Sequence, residues 1–253
     1  MGDASQKLEV VAVIPARLAS TRLPRKVLLP IAGRPMLAWV YAAASACAQL
    51  DRVIVATDSE EVMALGQIEG WDVRMTSPEL ASGSDRVHAI SLDVDADIYV
   101  NVQGDEPLLR PEHIDSLLRP FARLGDAAEV TTLSTLCKPE DVNNPNAVKV
   151  VTAVDGRALY FSRAAIPFNR DNAETDPYRK HLGLYAYRKS ALARFAALPP
   201  GKLERFERLE QLRMLEAGMS LFVEPTDFET IGVDTKEDLR MAETMLQRVD
   251  RKI

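Results

Sequence analysis

Val10-Val-Ala-Val-Ile-Pro-Ala-Arg-Leu-Ala-Ser-Thr-Arg-Leu-Pro-Arg-Lys26 joins an apolar, β-branched run to a loop rich in cations and hydroxyls. Residues 10–14 have the composition of a strand buried on both faces of a parallel sheet. Arg17, Arg22, Arg25 and Lys26 then crowd together, and no Asp or Glu occurs between Val10 and Leu50. With 37 acids in 253 residues, chance would place about six in that stretch. A strand that empties into such a loop is where an α/β protein would hold phosphates, so a nucleotide is the first expectation. The loop lacks Gly-x-x-x-x-Gly-Lys-Ser/Thr, so guanidinium and ammonium groups would bind the phosphates alongside backbone N–H. The plainer alternative is a solvated basic loop, and the missing counter-acids weigh against it.

Working outward, short β-branched runs at 10–14, 52–56, 97–102 and 130–134 alternate with helical stretches at 35–47, 60–67, 85–92 and 111–123. This alternation predicts βαβ units and a mostly parallel sheet. Ligands of such sheets sit beyond the carboxyl ends of the strands, which selects the loops starting near Pro15, Thr57 and Gln103. After Cys137 the pattern changes. Residues 147–154 and 157–161 read as a hairpin around Asp155-Gly156. An exposed, mobile loop is expected over 167–177 and a strand over 181–187. One helix is expected over 203–216, with Leu203, Phe206, Leu209, Leu212 and Leu215 at three-residue spacing and Gly218 as its stop. A short strand at 221–223 and an amphipathic helix at 236–248 close the chain.

Composition narrows the function. Hydrophobic content of 47% and charged content of 27% are those of an ordinary globular protein, and the length suits one large α/β domain. A net charge of −6 argues against general binding to nucleic acid or a membrane surface, so the basic loop is a site for a small anion. Cys47 and Cys137 match no metal spacing and suit a reducing cytosol. No run approaches a membrane span, and the polar start lacks the apolar core of a signal peptide. A cytoplasmic location is expected.

Four further constellations carry chemistry. In Asn101-Val-Gln-Gly-Asp-Glu-Pro107, Gly104 lets the backbone approach a ligand and Asp105 is presented at a strand's carboxyl end. A hard carboxylate there suits Mg2+, although Gly-Asp is also ordinary turn chemistry. Ile231-Gly-Val-Asp234-Thr offers a second carboxylate, with the equal alternative that Asp234 or Thr235 caps the following helix. In Ser82-Gly-Ser-Asp-Arg86, a serine can cap a helix; the sharper reading has exposed N–H groups and Arg86 meeting the polar edge of a base. In the second half stand Arg163, His181 and the pair Glu210-Gln211. A satisfied core histidine and an exposed i,i+4 glutamate are their structural alternatives. Asp93-Val-Asp-Ala-Asp97 has the spacing of a metal-binding Asp-x-Asp but precedes its strand, so it reads as a solvated turn.

Taken together, these motifs resemble the 3-deoxy-D-manno-octulosonate (Kdo) cytidylyltransferase family, the CMP-Kdo synthetases. The resemblance runs in order along nearly the whole chain. It starts at Ile14-Pro-Ala-Arg-Leu-Ala-Ser-Thr-Arg-Leu-Pro24, Val55-Ala-Thr-Asp58 and Val100-Asn-Val-Gln-Gly-Asp-Glu-Pro107. It continues through Asn144-Pro-Asn-Ala-Val-Lys-Val-Val151, Ala158-Leu-Tyr-Phe-Ser-Arg-Ala164, Lys180-His-Leu-Gly-Leu-Tyr185, Leu209-Glu-Gln-Leu-Arg213 and Gly232-Val-Asp-Thr235. The resemblance implies a Rossmann-like nucleotide-diphospho-sugar transferase fold, with a mostly parallel central sheet and a smaller hairpin region in the second half. One domain is implied, with a nucleotide part at about 8–136, a sugar-binding and dimerisation part at about 137–224, and a C-terminal return at about 225–253.

The implied reaction gives CMP-Kdo and diphosphate from CTP and Kdo, for lipopolysaccharide assembly, in a cytoplasmic homodimer using Mg2+. By resemblance Asp105 and Asp234 are the metal carboxylates, and Arg17, Arg22 and Lys26 bind the triphosphate. Arg17, Lys26, Asp105 and Asp234 form the implied catalytic set. Ser82, Gly83 and Arg86 lie beside the cytosine. Gln103, Arg163, His181, Tyr185, Glu210 and Gln211 line the sugar pocket, with Arg163 and Lys180 candidates for its carboxylate. Three positions depart from the family: Arg25 where Gly is common, Ser84 where Thr is usual, and Phe168 where Trp or Tyr is common. The alternative substrates are 8-amino-Kdo or another acidic, sialic-acid-like sugar.

Overall fold

A computed structural model describes residues 7–20, 22–171 and 178–250. The chain divides into two compact units, Met1–Pro111 with Ile231–Ile253, and Glu112–Thr230.

The first unit contains, in chain order, β1 (Val10–Ala16), β2 (Pro30–Ile31), β3 (Arg34–Pro35), α1 (Met36–Ser45), β4 (Arg52–Thr57), α2 (Glu60–Glu69), β5 (Asp72–Met75), α3 (Gly83–Asp93) and β6 (Ile98–Asn101). Val11–Ile14 are wholly buried, which is why the run is continuously apolar rather than alternating. β1 pairs in parallel with β4 on one side and β6 on the other, and β4 pairs in parallel with β5. The strand order is therefore β6-β1-β4-β5, and the expected strands and helices are present. β5 was not expected from the sequence: it is four residues long, half-exposed and carries Asp72 and Arg74, the charges of an edge strand. β2 and β3 form a small hairpin through Ala32 (φ 47) and Gly33 (φ 79).

Helix α1 buries Met36, Leu37, Ala38, Val40 and Ala44, and this accounts for much of the acid-free stretch. Helix α3 starts at a capping box in which the Ser82 hydroxyl accepts from the Asp85 N–H while the Asp85 carboxylate accepts from the Ser82 N–H. The Asp-x-Asp segment lies at the amino end of β6 with Asp93, Asp95 and Asp97 exposed, and Asp97 accepts from the Glu9 N–H.

The second unit contains α4 (Pro111–Leu124), β7 (Val130–Leu136), α5 (Pro139–Val142), β8 (Lys149–Thr152), β9 (Ala158–Ser162), β10 (Arg179–Arg188), α6 (Lys189–Ala196), α7 (Lys202–Glu207), α8 (Gln211–Glu216) and β11 (Leu221–Pro225). β7 pairs in parallel with β11 and antiparallel with β10, and β8 pairs antiparallel with both β10 and β9. The β8–β9 hairpin turns at Gly156 (φ 88) as expected. Of the loop expected over 167–177, residues 172–177 lie outside the described residues; Phe168 is exposed.

The single helix expected over 203–216 is corrected to two. Arg208 adopts φ 52 and breaks the run between α7 and α8. Tertiary contacts hold the break: the Arg163 guanidinium donates to the carbonyls of Glu207 (2.7 Å) and Arg208 (3.3 Å), while the Glu207 carboxylate accepts from the Ser162 hydroxyl and the Arg163 N–H. Phe206, counted with the apolar row, is 77% exposed.

The chain then returns to the first unit as α9 (Lys236–Asp250). Val233, Ala242 and Leu246 join Leu23, Ile31 and Met36 in one apolar cluster, which ties this return to the loop after β1.

Candidate active site

The carboxyl ends of β1 and β6, the loop after β1, the start of α3 and the segment before α9 surround one cavity of about 390 Å3. Pro15, Arg17, Ser20, Arg22, Lys26, Gly83, Arg86, Gln103, Gly104, Asp105 and Asp234 line it. The parallel register puts these strand ends on one edge, and a helix that follows a parallel strand brings its N-terminus to the same edge.

Lys26 is the hub. Its side chain is 14% exposed, and its ammonium donates to Asp105 and to Asp234 Oδ1 (2.8 Å), while Arg22 pairs with Asp234 Oδ2 at 2.7 Å. Desolvation works to lower the Lys26 pKa, but the charge and hydrogen bonds of Asp105 and Asp234 outweigh it and the net shift is upward. The two carboxylate segments are joined directly, because the Val233 N–H donates to the Asp105 carbonyl at 2.9 Å. The alternative role for Asp234 is resolved by its neighbour. Thr235 caps α9 by accepting from the Asp238 N–H, while Asp238 Oδ2 accepts from the Thr235 N–H and hydroxyl. The Asp234 carboxylate is thereby left to the cavity.

No group of three or more His, Cys, Asp or Glu able to hold a metal occurs among the described residues. Asp105 and Asp234 nevertheless share one cation, the Lys26 ammonium. Two convergent carboxylates are a donor set that fits Mg2+, which takes few protein oxygens and fills its shell with phosphate and water.

Around this hub the supports are rigid. A Cβ on Gly104 would lie 2.7 Å from the Pro15 carbonyl, so the close approach that needs glycine here is to β1's own backbone. The Arg86 side chain is 2% exposed; it pairs with Asp58 (2.6 Å) and donates to the Thr76 hydroxyl and the Ser77 carbonyl. Arg86 lines the cavity, but these donors lock the β4 and β5 loops together rather than standing open to a base. Gln103, itself in the cavity wall beside Gly104, donates to the Asn101 side chain at 3.2 Å. Ser82 stands just behind Gly83 with its hydroxyl engaged in the capping box. Ser20 was not singled out for this role in the sequence, although it belongs to the hydroxyl-bearing loop.

The remaining expected residues belong to the second unit. Arg163 directs its donors to the carbonyls of Pro145 (2.8 Å), Glu207 and Arg208. Lys180 pairs with Asp141 at 2.8 Å. Neither cation is therefore presented as an open carboxylate receptor. Glu210 stands at the N-terminus of α8, and Gln211, its first residue, is 4% exposed. His181 packs edge-on to Phe161 (4.9 Å between centroids) and 5.6 Å from Tyr185, with Nε2 2.9 Å from the Thr132 hydroxyl. Desolvation pushes its pKa down to about 3, so the ring is neutral near pH 7. Lys149 is fully buried and donates to three carbonyls, those of Asn144, Ala147 and Arg163; its pKa is lowered by desolvation.

Parallel strands whose carboxyl ends set a basic loop against two carboxylates make the ligand site of a Rossmann-like α/β protein, and the relatives of this chain make it a nucleotidyltransferase. Residues 11–223 match the family model described as cytidylyltransferase. A 3-deoxy-manno-octulosonate cytidylyltransferase of Acidobacterium capsulatum is 59% identical over 94% of this chain and 97% of its own length. One from Koribacter versatilis is 55% identical over 95% and 91%. A solved CMP:2-keto-3-deoxy-manno-octonic acid synthetase complexed with CTP superimposes with a TM-score of 0.90 at 39% identity, covering 95% of this chain and 99% of that one. The chain belongs to the cytidylyltransferase family, among its 3-deoxy-manno-octulosonate cytidylyltransferases.

Proposed function

We propose that this protein transfers CMP from CTP to the anomeric C2 hydroxyl of Kdo. The hydroxyl oxygen attacks the α-phosphorus in line, the bond to the β-phosphate oxygen breaks, diphosphate leaves, and the hydroxyl proton is released to solvent. The observation that carries this reading is the cavity in which Lys26 lies between Asp105 and Asp234, with Arg17 and Arg22 on the same loop. The relatives named for this activity and the solved relative holding CTP support it.

Arg17, Arg22 and Lys26 take the triphosphate and share the charge that develops on the leaving diphosphate. Gly83 and Arg86, with Ser82 beside them, would serve the nucleoside, and Gln103, which lines the same cavity, would serve the nucleotide and the sugar. Asp105 and Asp234 would hold Mg2+, which when bound lowers the pKa of the attacking hydroxyl and neutralises phosphate charge. No covalent nucleophile is required. Tyr185, His181, Glu210 and Gln211 serve the acidic sugar, and Arg163 serves it by fixing the helix break that presents Glu210. A neutral His181 binds a hydroxyl rather than removing its proton, since a group with a pKa of about 3 is a poor base near pH 7. We assign the protein to cytoplasmic supply of activated Kdo for lipopolysaccharide, working as a homodimer. No helix among the described residues is long and apolar enough to cross a membrane.

A parallel assay of diphosphate release from CTP with Kdo and with 8-amino-Kdo tests the substrate. Kdo is expected to give the higher kcat/KM. Preference for the amino sugar would replace Kdo in this assignment, and release with neither would remove the activity.

A further inference from the structure

His181 owes its setting to an irregularity in β10. Leu182 pairs with Leu133 of β7, yet the next paired residue, Tyr185, faces Thr132. β10 thus advances three residues while β7 advances one, a bulge that leaves Gly183 and Leu184 outside the ladder. On a regular strand, residues four apart are about 13 Å apart, at roughly 3.3 Å per residue. Here the His181 and Tyr185 rings stand 5.6 Å apart on one face.

Beside the bulge the Thr132 hydroxyl meets two backbone carbonyls of β10. Its oxygen lies 2.8 Å from the Leu184 carbonyl, 3.2 Å from the Leu182 carbonyl and 2.9 Å from His181 Nε2. Thr132 is wholly buried, so water does not supply a missing proton. A hydroxyl carries one proton and two lone pairs, and a carbonyl only accepts. If the proton went to His181 Nε2, both carbonyl oxygens would face the hydroxyl oxygen at 2.8 and 3.2 Å with no hydrogen between them, acceptor against acceptor. If it goes to Leu184, the nearer carbonyl, Leu182 at 3.2 Å takes at most a share of it, and the hydroxyl's lone pairs are left to accept the hydrogen that His181 Nε2 brings. We infer that Thr132 is a positioning residue: its hydroxyl, committed to the bulge carbonyls, locks His181 in the Nε2–H tautomer and leaves Nδ1 as a bare acceptor for a hydroxyl of the sugar acid.

This inference rests on the proposed placement of His181 at the sugar, but its first step does not. Among the described residues none hydrogen-bonds Nδ1, and desolvation against the Phe161 and Tyr185 rings keeps the imidazole neutral, so the lone pair is maintained. An acceptor fixed in this way favours a ligand carrying O–H over one presenting only carbonyl or ether oxygen.

The test is long-range 1H–15N correlation on protein labelled at histidine, which has three histidines in all, with His181→Gln assigning the signal. Wild type is expected to show the Nε2–H pattern for His181, unchanged from pH 8 to 6. Thr132→Val keeps the side-chain shape and removes the hydroxyl. It is expected to give a mixed tautomer pattern and about a tenfold higher KM for the sugar, on the scale of one hydrogen bond, with the KM for CTP unchanged. Thr132→Ser should restore both. An Nδ1–H or imidazolium pattern in wild type would overturn the inference even if the valine variant did not fold, and so would an unaltered pattern in a folded Thr132→Val. A shifted tautomer with an unchanged sugar KM would uphold Thr132's control of the ring and instead overturn the placement of His181 at the sugar.

Discussion

At Lys26 an ammonium uses the carboxylate oxygens that a divalent cation would need, so such a cation would have to compete with it for Asp105 and Asp234. A bound nucleotide would offer the ammonium an alternative anion, which would tie metal entry to triphosphate binding. Nucleotide-free wild type should therefore bind Mn2+ weakly. Lys26→Met, with both carboxylates unpartnered by Lys26, should bind it at least about tenfold more tightly in a titration followed by electron paramagnetic resonance, a change of about 1.4 kcal/mol. Equal affinities would show that Lys26 does not compete. The complementary change, Asp105→Asn, keeps the shape of the side chain and removes its charge. Turnover should fall at least about a thousandfold, some 4 kcal/mol of transition-state stabilisation, with the thermal unfolding midpoint little changed. Near-normal activity would remove Asp105 from the mechanism. Arg25, next in the loop, adopts φ 59, the left-handed region that favours glycine, and its exposed pairing with Glu61 contributes little.

At the scale of elements, Arg163 is a brace rather than a receptor. It joins the end of β9 to the α7–α8 break through the carbonyls of Glu207 and Arg208. Arg163→Met should destabilise the protein by about 1 to 3 kcal/mol in urea titrations, since part of the contact is open to water, and should raise the sugar KM more than the CTP KM. An unchanged midpoint would reduce Arg163 to a surface residue. The break itself could not be read from the sequence, because Leu203 to Leu215 at three-residue spacing imitates a helix and the interruption is imposed by a residue some 45 positions away. β5 escaped notice for a different reason: as an edge strand it carries charges where a buried strand would be apolar. The β2–β3 turn was masked by Ala32 at a position where Asn or Gly is the usual signal. What was legible is what burial or charge makes anomalous. β1 is buried on both faces and reads as an unbroken apolar run, and Arg17 to Lys26 stand out because no acid accompanies them. Asp234 was ambiguous until Thr235 was seen to cap α9, and nothing local marks Thr132, whose role depends on a bulge in another strand.

For the molecule as a whole, the half-buried titratable groups make acid the direction of instability. His181 has a folded pKa of about 3 against an ordinary value near 6.5. Between those values the unfolded chain binds a proton that the folded chain refuses, so stability rises with pH across that window and falls as pH drops through it. Asp141 and Glu204 act in the same sense but lower on the scale. Desolvation works to raise each, yet the hydrogen bonds from Lys180 and Arg213 outweigh it and their pKa values are lowered, so their contribution is lost only below the ordinary carboxylate range. His181 therefore sets the upper edge of acid sensitivity. Urea unfolding of wild type at pH 7.5, 6 and 5 should show stability declining below about pH 6.5 with a slope approaching, and not exceeding, about 1.4 kcal/mol per pH unit from this group. His181→Gln, which has no proton to bind, should be flatter over the same interval whatever its absolute stability. The two slopes would coincide only if the imidazole were as readily protonated in the folded protein as in the unfolded chain. That result would contradict the desolvated cage of Phe161, Tyr185 and Thr132, and with it the reading of His181 as a neutral hydrogen-bond acceptor.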